Sequence, residues 1–410
     1  MLFLVDEANN LKIDYGYLIK KVSEKKVINK YIYTKNIEEL FIDLVAGLYY
    51  ACNIEVIDGD FSKEELSLLE ISNEELNLKY EINKQTNIKD IEQIIEQIKI
   101  NQPIAKVGIY SSGTTGLPKR FEHSLKSLMR NVKISEKHSQ DIWGFAYNIT
   151  HFAGIQVFLQ ALMNKNAIIN IFGNNRNYAS KLLEKYNCNC ISATPTFYRN
   201  FIFNDMKVNE IIRYVTFGGE KFNNDLLLKA KEKFPKARIR NIYASTEIGS
   251  LLSGDNESFI IPNNFKNFIK ISENNHLMVH RSLLMKEGFK EEWYDTGDLV
   301  SVNNDGSFNV LNRDSDFINV GGYKVNPVEV ETQILRIDGV LDVVVTSRDN
   351  SVLGKILVAN VKKDNNILDL ELQKRILVEL QGNLQPFKIP RIIKFVEEIR
   401  YNRSGKKVRP

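Results

Sequence analysis

The run Tyr110-Ser111-Ser112-Gly113-Thr114-Thr115-Gly116-Leu117-Pro118-Lys119-Arg120 puts hydroxyls, two glycines and a lysine directly after an apolar stretch, Val107 to Tyr110, that reads as a strand. These residue types suit a phosphate cradle. Glycines let backbone N–H groups approach a polyphosphate, hydroxyls donate to its oxygens, and a lysine neutralises charge on the outer phosphates. The ATPase P-loop is excluded, because it needs a spacer of about four residues before a Gly-Lys pair followed at once by Ser or Thr. Here only Thr114 and Thr115 separate Gly113 from Gly116, and Pro118 precedes the lysine. Taken alone, the segment reads equally well as a Ser/Thr/Gly turn between two elements.

Further motifs follow in order: Tyr243-Ala244-Ser245-Thr246-Glu247, then Tyr294-Asp295-Thr296-Gly297-Asp298, then Arg313-Asp314-Ser315-Asp316-Phe317-Ile318 running into Gly321-Gly322-Tyr323-Lys324, and last Ser404-Gly405-Lys406. With these the sequence resembles the acyl-adenylate-forming (AMP-binding) superfamily of acyl- and aryl-CoA synthetases, peptide-synthetase adenylation domains and luciferases. The resemblance extends over roughly residues 105 to 410, and motifs in a shared order make a match that no single short pattern gives. It implies a ligase that joins a carboxylic acid to ATP as an acyl-adenylate, releases pyrophosphate, and passes the acyl group to a pantetheine thiol. Two mutually repelling anions must be aligned, so positioning and electrostatic stabilisation carry most of the rate.

By the same resemblance, Thr114, Thr115 and Lys119, with Ser112 beside them, would hold the β- and γ-phosphates of ATP. Glu247 would bind Mg²⁺, a hard cation that prefers oxygen ligands, and Thr246 would bond the phosphate of the adenylate. Gly219 and Glu220, in Gly218-Gly219-Glu220, match the positions that flank adenine, with Tyr243 supplying a stacking face. Asp298 matches the residue that grips the ribose diol, a task suited to a carboxylate with acceptors on both oxygens, and Arg313 joins it there. Lys406 is the catalytic lysine, whose ammonium would bridge the attacking carboxylate and the α-phosphate. Standing alone, Asp298 reads as a turn residue, Arg313 as a surface cation, Tyr243 as core and Lys406 as part of a solvated basic tail.

The acid is narrowed, not named. Peptide-synthetase domains for α-amino acids carry an aspartate near the counterpart of Tyr147 to Gly154, and Tyr147-Asn148-Ile149-Thr150-His151-Phe152-Ala153-Gly154 has none, so an α-amino acid is disfavoured. The segment resembles the histidine-containing stretch of aryl- and acyl-CoA ligases, which places His151 near the reacting carboxylate; a purely structural histidine is the competing assignment. Phe145, Phe152, Phe197 and Phe217 lie near segments that line the acyl pocket in relatives. Such a slot would suit an aryl or a short- to medium-chain acid, and ordinary core packing is the rival explanation.

Gly321-Gly322 matches the loop that lines the thiol tunnel. The chain stops at Pro410, soon after Lys406, so CoA or a separate acyl carrier protein is expected to act in trans. Two alternatives are a degenerate sensor that binds nucleotide or acyl-adenylate, and an enzyme that passes the adenylate to a non-thiol acceptor. Retention of Lys119, Glu247, Asp298, Arg313 and Lys406 argues against the sensor.

The elements that must position these residues alternate in character. Ile37, Phe41, Leu44, Val45 and Leu48 recur at helical spacing, and apolar runs at Ala167 to Phe172, Cys190 to Ala193, Tyr214 to Phe217 and Ala237 to Ile242 read as strands separated by helices. This is the βα rhythm of an α/β fold: parallel-rich sheets flanked by helices. Past Arg313, Val343 to Val345, Ile356 to Val361 and Ile392 to Phe395 read as strands and Leu368 to Leu380 as a helix, a small α+β unit. The expected division is a large N-terminal domain, 1–312, and a small mobile C-terminal one, 313–410. Ser315 stands where the family carries Asp or Lys as its hinge. The region before Lys106 is short for the family, which implies a trimmed N-terminal subdomain.

Composition is that of an ordinary globular chain, with 410 residues, 43% hydrophobic and 26% charged. The formal charge of +4, from 55 basic and 51 acidic residues, is spread along the chain and makes no case for nucleic acid. Cys52, Cys188 and Cys190 have no metal-like spacing with the five histidines, and an odd count without a leader points to structural thiols in a reducing compartment. No apolar run reaches the roughly 20 residues of a membrane span, so a cytoplasmic location is expected.

Overall fold

The computed structural model describes the chain apart from residues 84–85, 113–117, 203–205, 223, 286–288, 314–316, 321–322, 351–353, 403–406 and 410, and gives backbone without side chain at 111–112, 118, 176, 200, 312–313, 324 and 354. The fold is α/β, as expected. Contacts divide it into two compact units, Met1–Phe259 with His280–Trp293, and Ile260–Val279 with Tyr294–Pro410.

In the first unit an eight-stranded sheet runs in the order Gly249–Gly254, Arg238–Ser245, Tyr214–Gly218, Cys190–Ala193, Ile142–Phe145, Ala167–Asn170, Leu2–Asp6, Leu11–Asp14. All inner strands are parallel, and one antiparallel strand closes each edge. A four-stranded sheet, ordered Tyr31–Thr34, Ile54–Asp58, Lys106–Ser112, Pro118–Ser124, has three parallel strands and ends in a hairpin. One core joins both sheets to the helices Ile37–Tyr49 and Phe152–Met163. Phe41 meets Phe3, Phe145 and Phe158 edge-on, at 5.9, 5.9 and 5.4 Å between ring centroids.

The sequence explains why Ile37–Tyr49 is helical and where it starts. Asn36 accepts from the amides of Glu38 and Glu39 at 3.0 and 3.3 Å, and those two carboxylates sit where the helix dipole favours anions. Leu40 to Leu48 are all buried, the signature of a helix enclosed on every side.

The second unit holds two parts. In one, Trp293–Val302, which belongs to this unit from Tyr294 onward, pairs antiparallel with Phe308–Arg313, and Ile269–Ile271 pairs with His276–His280. In the other, Val340–Asn350, Gly354–Lys363 and Ile392–Phe395 form a three-stranded sheet. Helices Pro327–Ile334 and Asp369–Asn383 cover it, burying Val330, Ile334, Leu372, Ile376 and Leu380 against Val343, Val345, Leu357 and Ala359. The small α+β unit read from the sequence is therefore present, with Ile392–Phe395 at the expected bounds.

The cysteines are free and buried. Loss of water pushes the Cys52 thiol up to about 11 and that of Cys188 up to about 12, and Cys190, which also bonds Asp141, rises further. Such thiols are inert at neutral pH. No helix among the described residues is long and apolar enough to cross a membrane.

His123 is fully buried on Pro118–Ser124, and neither ring nitrogen has a hydrogen-bond partner among the described residues. Burial lowers its pKa to about 4 from 6.5. The unfolded chain therefore takes up a proton that the fold refuses, and stability contributed above the unfolded pKa is lost as pH falls from 6.5 toward 4. Between pH 7 and about pH 4.5 the unaltered protein is expected to lose about 2 kcal/mol more than His123→Gln, read from urea unfolding at both values. Parallel losses would refute the assignment.

Candidate active site

Because the inner strands of the large sheet are parallel, their carboxyl ends Phe145, Ala193, Gly218 and Ser245 lie along one edge. Ligands in open α/β sheets bind outside that edge. The sequence-derived residues of this unit cluster there: His151 after the first strand, Gly219 and Glu220 after the third, and Tyr243, Thr246 and Glu247 at the end of the fourth. In the smaller sheet the same polarity brings Thr34, Asp58 and Ser112 to one edge. Asn148 ties the two edges together, its Nδ2 donating to Asp58 Oδ2 at 2.6 Å.

The hairpin that the sequence reading assigns to phosphates springs from this second edge. Ser111 pairs with Lys119 and Ser112 with Pro118, which sets the register of the loop between them, and the Lys119 side chain is exposed. Thr114 and Thr115 lie outside the described residues, and Ser112 is described by backbone alone.

His151 takes the N-cap position of Phe152–Met163. Asn148 builds the turn before it, its Oδ1 accepting from Thr150 N at 3.0 Å and Thr150 Oγ1 at 2.9 Å. Gly154 is required by that turn, since a Cβ there would stand 2.2 Å from the Asn148 carbonyl oxygen. Phe145 and Phe217 are core residues, 1% and 0% exposed. Phe217 packs on Tyr198 and Phe222, Phe197 stacks on Phe201 at 5.4 Å, and Phe152 lies 5.6 Å from the His123 ring. Tyr147 is buried with Ser192 as its hydrogen-bond partner, and burial raises its pKa.

Gly219 adopts φ +82°, a conformation glycine takes without strain. The Glu220 carboxylate accepts from Thr196 N at 2.9 Å, so it also caps the helix Pro195–Ile202. Tyr243 meets Phe259 edge-on at 6.1 Å.

Glu247 is held through its backbone, its carbonyl accepting from Met285 N at 2.7 Å. Arg130, absent from the sequence-derived set, secures the next residues: its guanidinium donates to Ile248 O at 2.6 Å and Leu283 O at 3.3 Å. Asn131 adds a bond to Ser250 O at 2.6 Å. Arg130 gave no local signal, because its partners are main-chain carbonyls remote in sequence. Among the described residues no group of three or more His, Cys, Asp or Glu side chains could hold a metal ion.

In the second unit, Asp298 and Arg313 are direct cross-strand partners, so the two residues assigned to the ribose share a register position; Arg313 is described by backbone alone. The turn before Asp298 is built from its own motif. Gly297 has φ +71° and donates to Asp295 Oδ1 at 2.8 Å, while Thr296 Oγ1 donates to Leu277 O at 2.9 Å and accepts from Asp298 N at 3.1 Å.

Lys406 lies outside the described residues, as do Ser315, Gly321 and Gly322. The residues flanking Lys406 are firmly anchored. Tyr401 bridges Lys407, and Val408 N donates to Arg400 O at 3.0 Å. Lys407 pairs with Asp342 at 2.6 Å, the side chains only 6% and 8% exposed, and Tyr401 OH donates to the same carboxylate. Arg409 pairs with buried Glu331 at 2.9 Å.

A family model described as AMP-binding enzyme matches residues 53–263, and one for the AMP-binding enzyme C-terminal domain matches residues 329–406. The chain belongs to the AMP-binding enzyme family. Among its relatives, a 4-hydroxybutyrate–CoA ligase of Metallosphaera sedula is 27% identical over 73% of this chain and 60% of that protein. A 2-succinylbenzoate–CoA ligase of Listeria monocytogenes is 24% identical over 73% of this chain and 67% of that one. Bacitracin synthase 3 of Bacillus licheniformis is 26% identical over 68% of this chain and 5% of its own length. The chain thus spans 60 to 67% of the two ligases.

The same fold occurs in ATP-bound MatB from Rhodopseudomonas palustris, with TM-score 0.71, 16% identity, and coverage of 99% of this chain and 94% of that one. It also occurs in the o-succinylbenzoate CoA synthetase MenE of Bacillus subtilis in complex with its acyl-adenylate, with TM-score 0.69, 19% identity, and coverage of 100% and 94%.

Proposed function

We propose that this AMP-binding enzyme converts a carboxylic acid to an acyl-adenylate and then to a thioester of CoA or of a carrier protein. The observation that carries the reading is the gathering of His151, Gly219, Glu220, Thr246 and Glu247 at the carboxyl edge of one parallel sheet, tied by Asn148 to the edge that bears the phosphate hairpin. In the first step a carboxylate oxygen attacks the α-phosphorus, the bond to the β-phosphate oxygen breaks, and pyrophosphate leaves. In the second a thiolate attacks the acyl carbon and AMP departs.

Lys119, with Ser112, Thr114 and Thr115, would hold the outer phosphates and Thr246 the α-phosphate. Tyr243 and the Gly219-Glu220 backbone would flank adenine, and Asp298 with Arg313 would hold the ribose. A carboxylate such as Glu247 suits Mg²⁺, which keeps waters and takes its other ligands from phosphates; the ion would supply charge neutralisation there. His151, at a helix N-terminus, would orient the acid's carboxylate. Lys406 would stabilise charge between the reacting anions, delivered by a small domain, 313–410, turning about Ser315 against 1–312.

The acid is an aryl or a short- to medium-chain one. The relatives' names, which carry hydroxybutyrate and succinylbenzoate, support this, as does the lack of an aspartate between Tyr147 and Gly154. ATP–pyrophosphate exchange over a panel of such acids, with and without CoA, tests the reading. Exchange that depends on the acid, with thiol consumed when CoA is added, is the expected result. No exchange with any acid would overturn it, and adenylate without thiol consumption would redirect the second step to another acceptor.

A further inference from the structure

Glu55 is a carboxylate within the apolar run Ile54-Glu55-Val56-Ile57 of strand Ile54–Asp58, and its side chain is 6% exposed. A buried charge of this kind is retained only with partners. Its partners are the two residues at the root of the phosphate hairpin. Tyr110 OH donates to Oε2 at 2.9 Å, and Arg120 Nε donates to Oε2 and Oε1 at 3.0 and 3.1 Å, with a further contact from the guanidinium. Tyr110 and Arg120 are register partners, and the next pair outward is Ser111 with Lys119. Glu55 therefore reaches across the sheet and pins both strands at a register pair two short of the hairpin's last, with Arg120 directly after Lys119.

The backbone is arranged to permit this. Gly108 lies opposite Glu55, and a Cβ at that glycine would stand 1.8 Å from Glu55 Oε2. Any other residue there would expel the carboxylate from its place. Arg120 is occupied on its outer side too, donating to Glu122 at 2.9 Å, and Glu122 in turn accepts from Lys106 at 2.9 Å. The guanidinium is thus spent on two carboxylates, not on a ligand. Side chains alternate along a strand, so Lys119 emerges on the face opposite Arg120, and fixing one fixes the direction of the other.

We infer that Glu55 is a positioning residue for the outer phosphates of ATP, acting through Arg120 and Tyr110 to aim Lys119. The inference rests on the adenylating function proposed above. Its test is Glu55→Gln, which keeps size and the bond to Tyr110 while removing the charge that orients Arg120, with Arg120→Met as a second, half-exposed variant should the first fail to fold. Both are expected to weaken ATP binding and raise its KM about tenfold, with the KM for the acid and the rate of thioester formation from supplied acyl-adenylate unchanged. ATP binding is read directly by calorimetry.

A merely structural clamp would lower the melting temperature and the yield of active protein but leave the ATP constant alone, and that result overturns the inference. Equal ATP affinity in the unaltered protein and both variants overturns it without touching the proposed function. Failure of the unaltered protein to bind ATP overturns both.

Discussion

Lys406→Ala is expected to abolish adenylate formation while leaving thioester formation from supplied acyl-adenylate close to that of the unaltered protein. The two half-reactions ask different things of the site. In the first, the attacking carboxylate and the α-phosphate both carry negative charge, and an ammonium between them is worth most at the transition state. In the second, the acyl carbon is already activated and the attacking group is a sulfur. Removing one such charge-stabilising donor costs on the order of a hundredfold to a thousandfold in rate. ATP–pyrophosphate exchange reads the first step, and release of AMP from added adenylate with CoA reads the second. An equal loss in both would show that the lysine acts on folding or domain structure instead.

The second large effect is expected at the root of the same segment. Asp342→Ala leaves the Lys407 ammonium buried with, among the described residues, the Val343 carbonyl at 2.6 Å as its acceptor, and also removes a carboxylate that accepts from Tyr401. Deleting one member of a buried ion pair costs about 3 to 5 kcal/mol, because the remaining charge is stranded in a medium that cannot solvate it. The loss is local to the three-stranded sheet and its helices. Both tryptophans, Trp143 and Trp293, belong to the other unit, so the measurement is hydrogen exchange at Val343, Val344 and Val345. Protection should fall there by two orders of magnitude or more, roughly the equivalent of that energy. The paired change Asp342→Leu with Lys407→Met, which removes both charges, should restore most of it; unchanged protection in Asp342→Ala would refute the account.

Much of this was legible in the sequence, for reasons that differ by element. Strands such as Cys190–Ala193 and Ile392–Phe395 announced themselves because a short apolar run between polar turns has few other ways to bury itself. Asp295-Thr296-Gly297-Asp298 was legible as a motif because its chemistry is local: the Asp295 and Thr296 side chains bond backbone groups within two residues or on a neighbouring strand. Glu55 was not legible, although a carboxylate inside Ile54-Glu55-Val56-Ile57 is itself a signal that a cation must come to it. Its partner Arg120 lies on the far side of an intervening strand, and only tertiary structure supplies that distance. Arg130 was hidden for a related reason, since carbonyl acceptors leave no mark on residue type. Whether a phenylalanine packs in the core or lines an acyl slot is not written in its residue type: Phe145 and Phe217 sit on strands near the site edge, and both are buried in the core.

The three sulfhydryls bear on how the enzyme can be assayed. Cys52, Cys188 and Cys190 are shielded and hold their protons at neutral pH. A disulfide reagent that counts free coenzyme as it is consumed will therefore draw its colour from the acceptor alone, with no background from the folded catalyst and no inactivation to correct for. The onset of such a background during a time course would then mark unfolding as it happens.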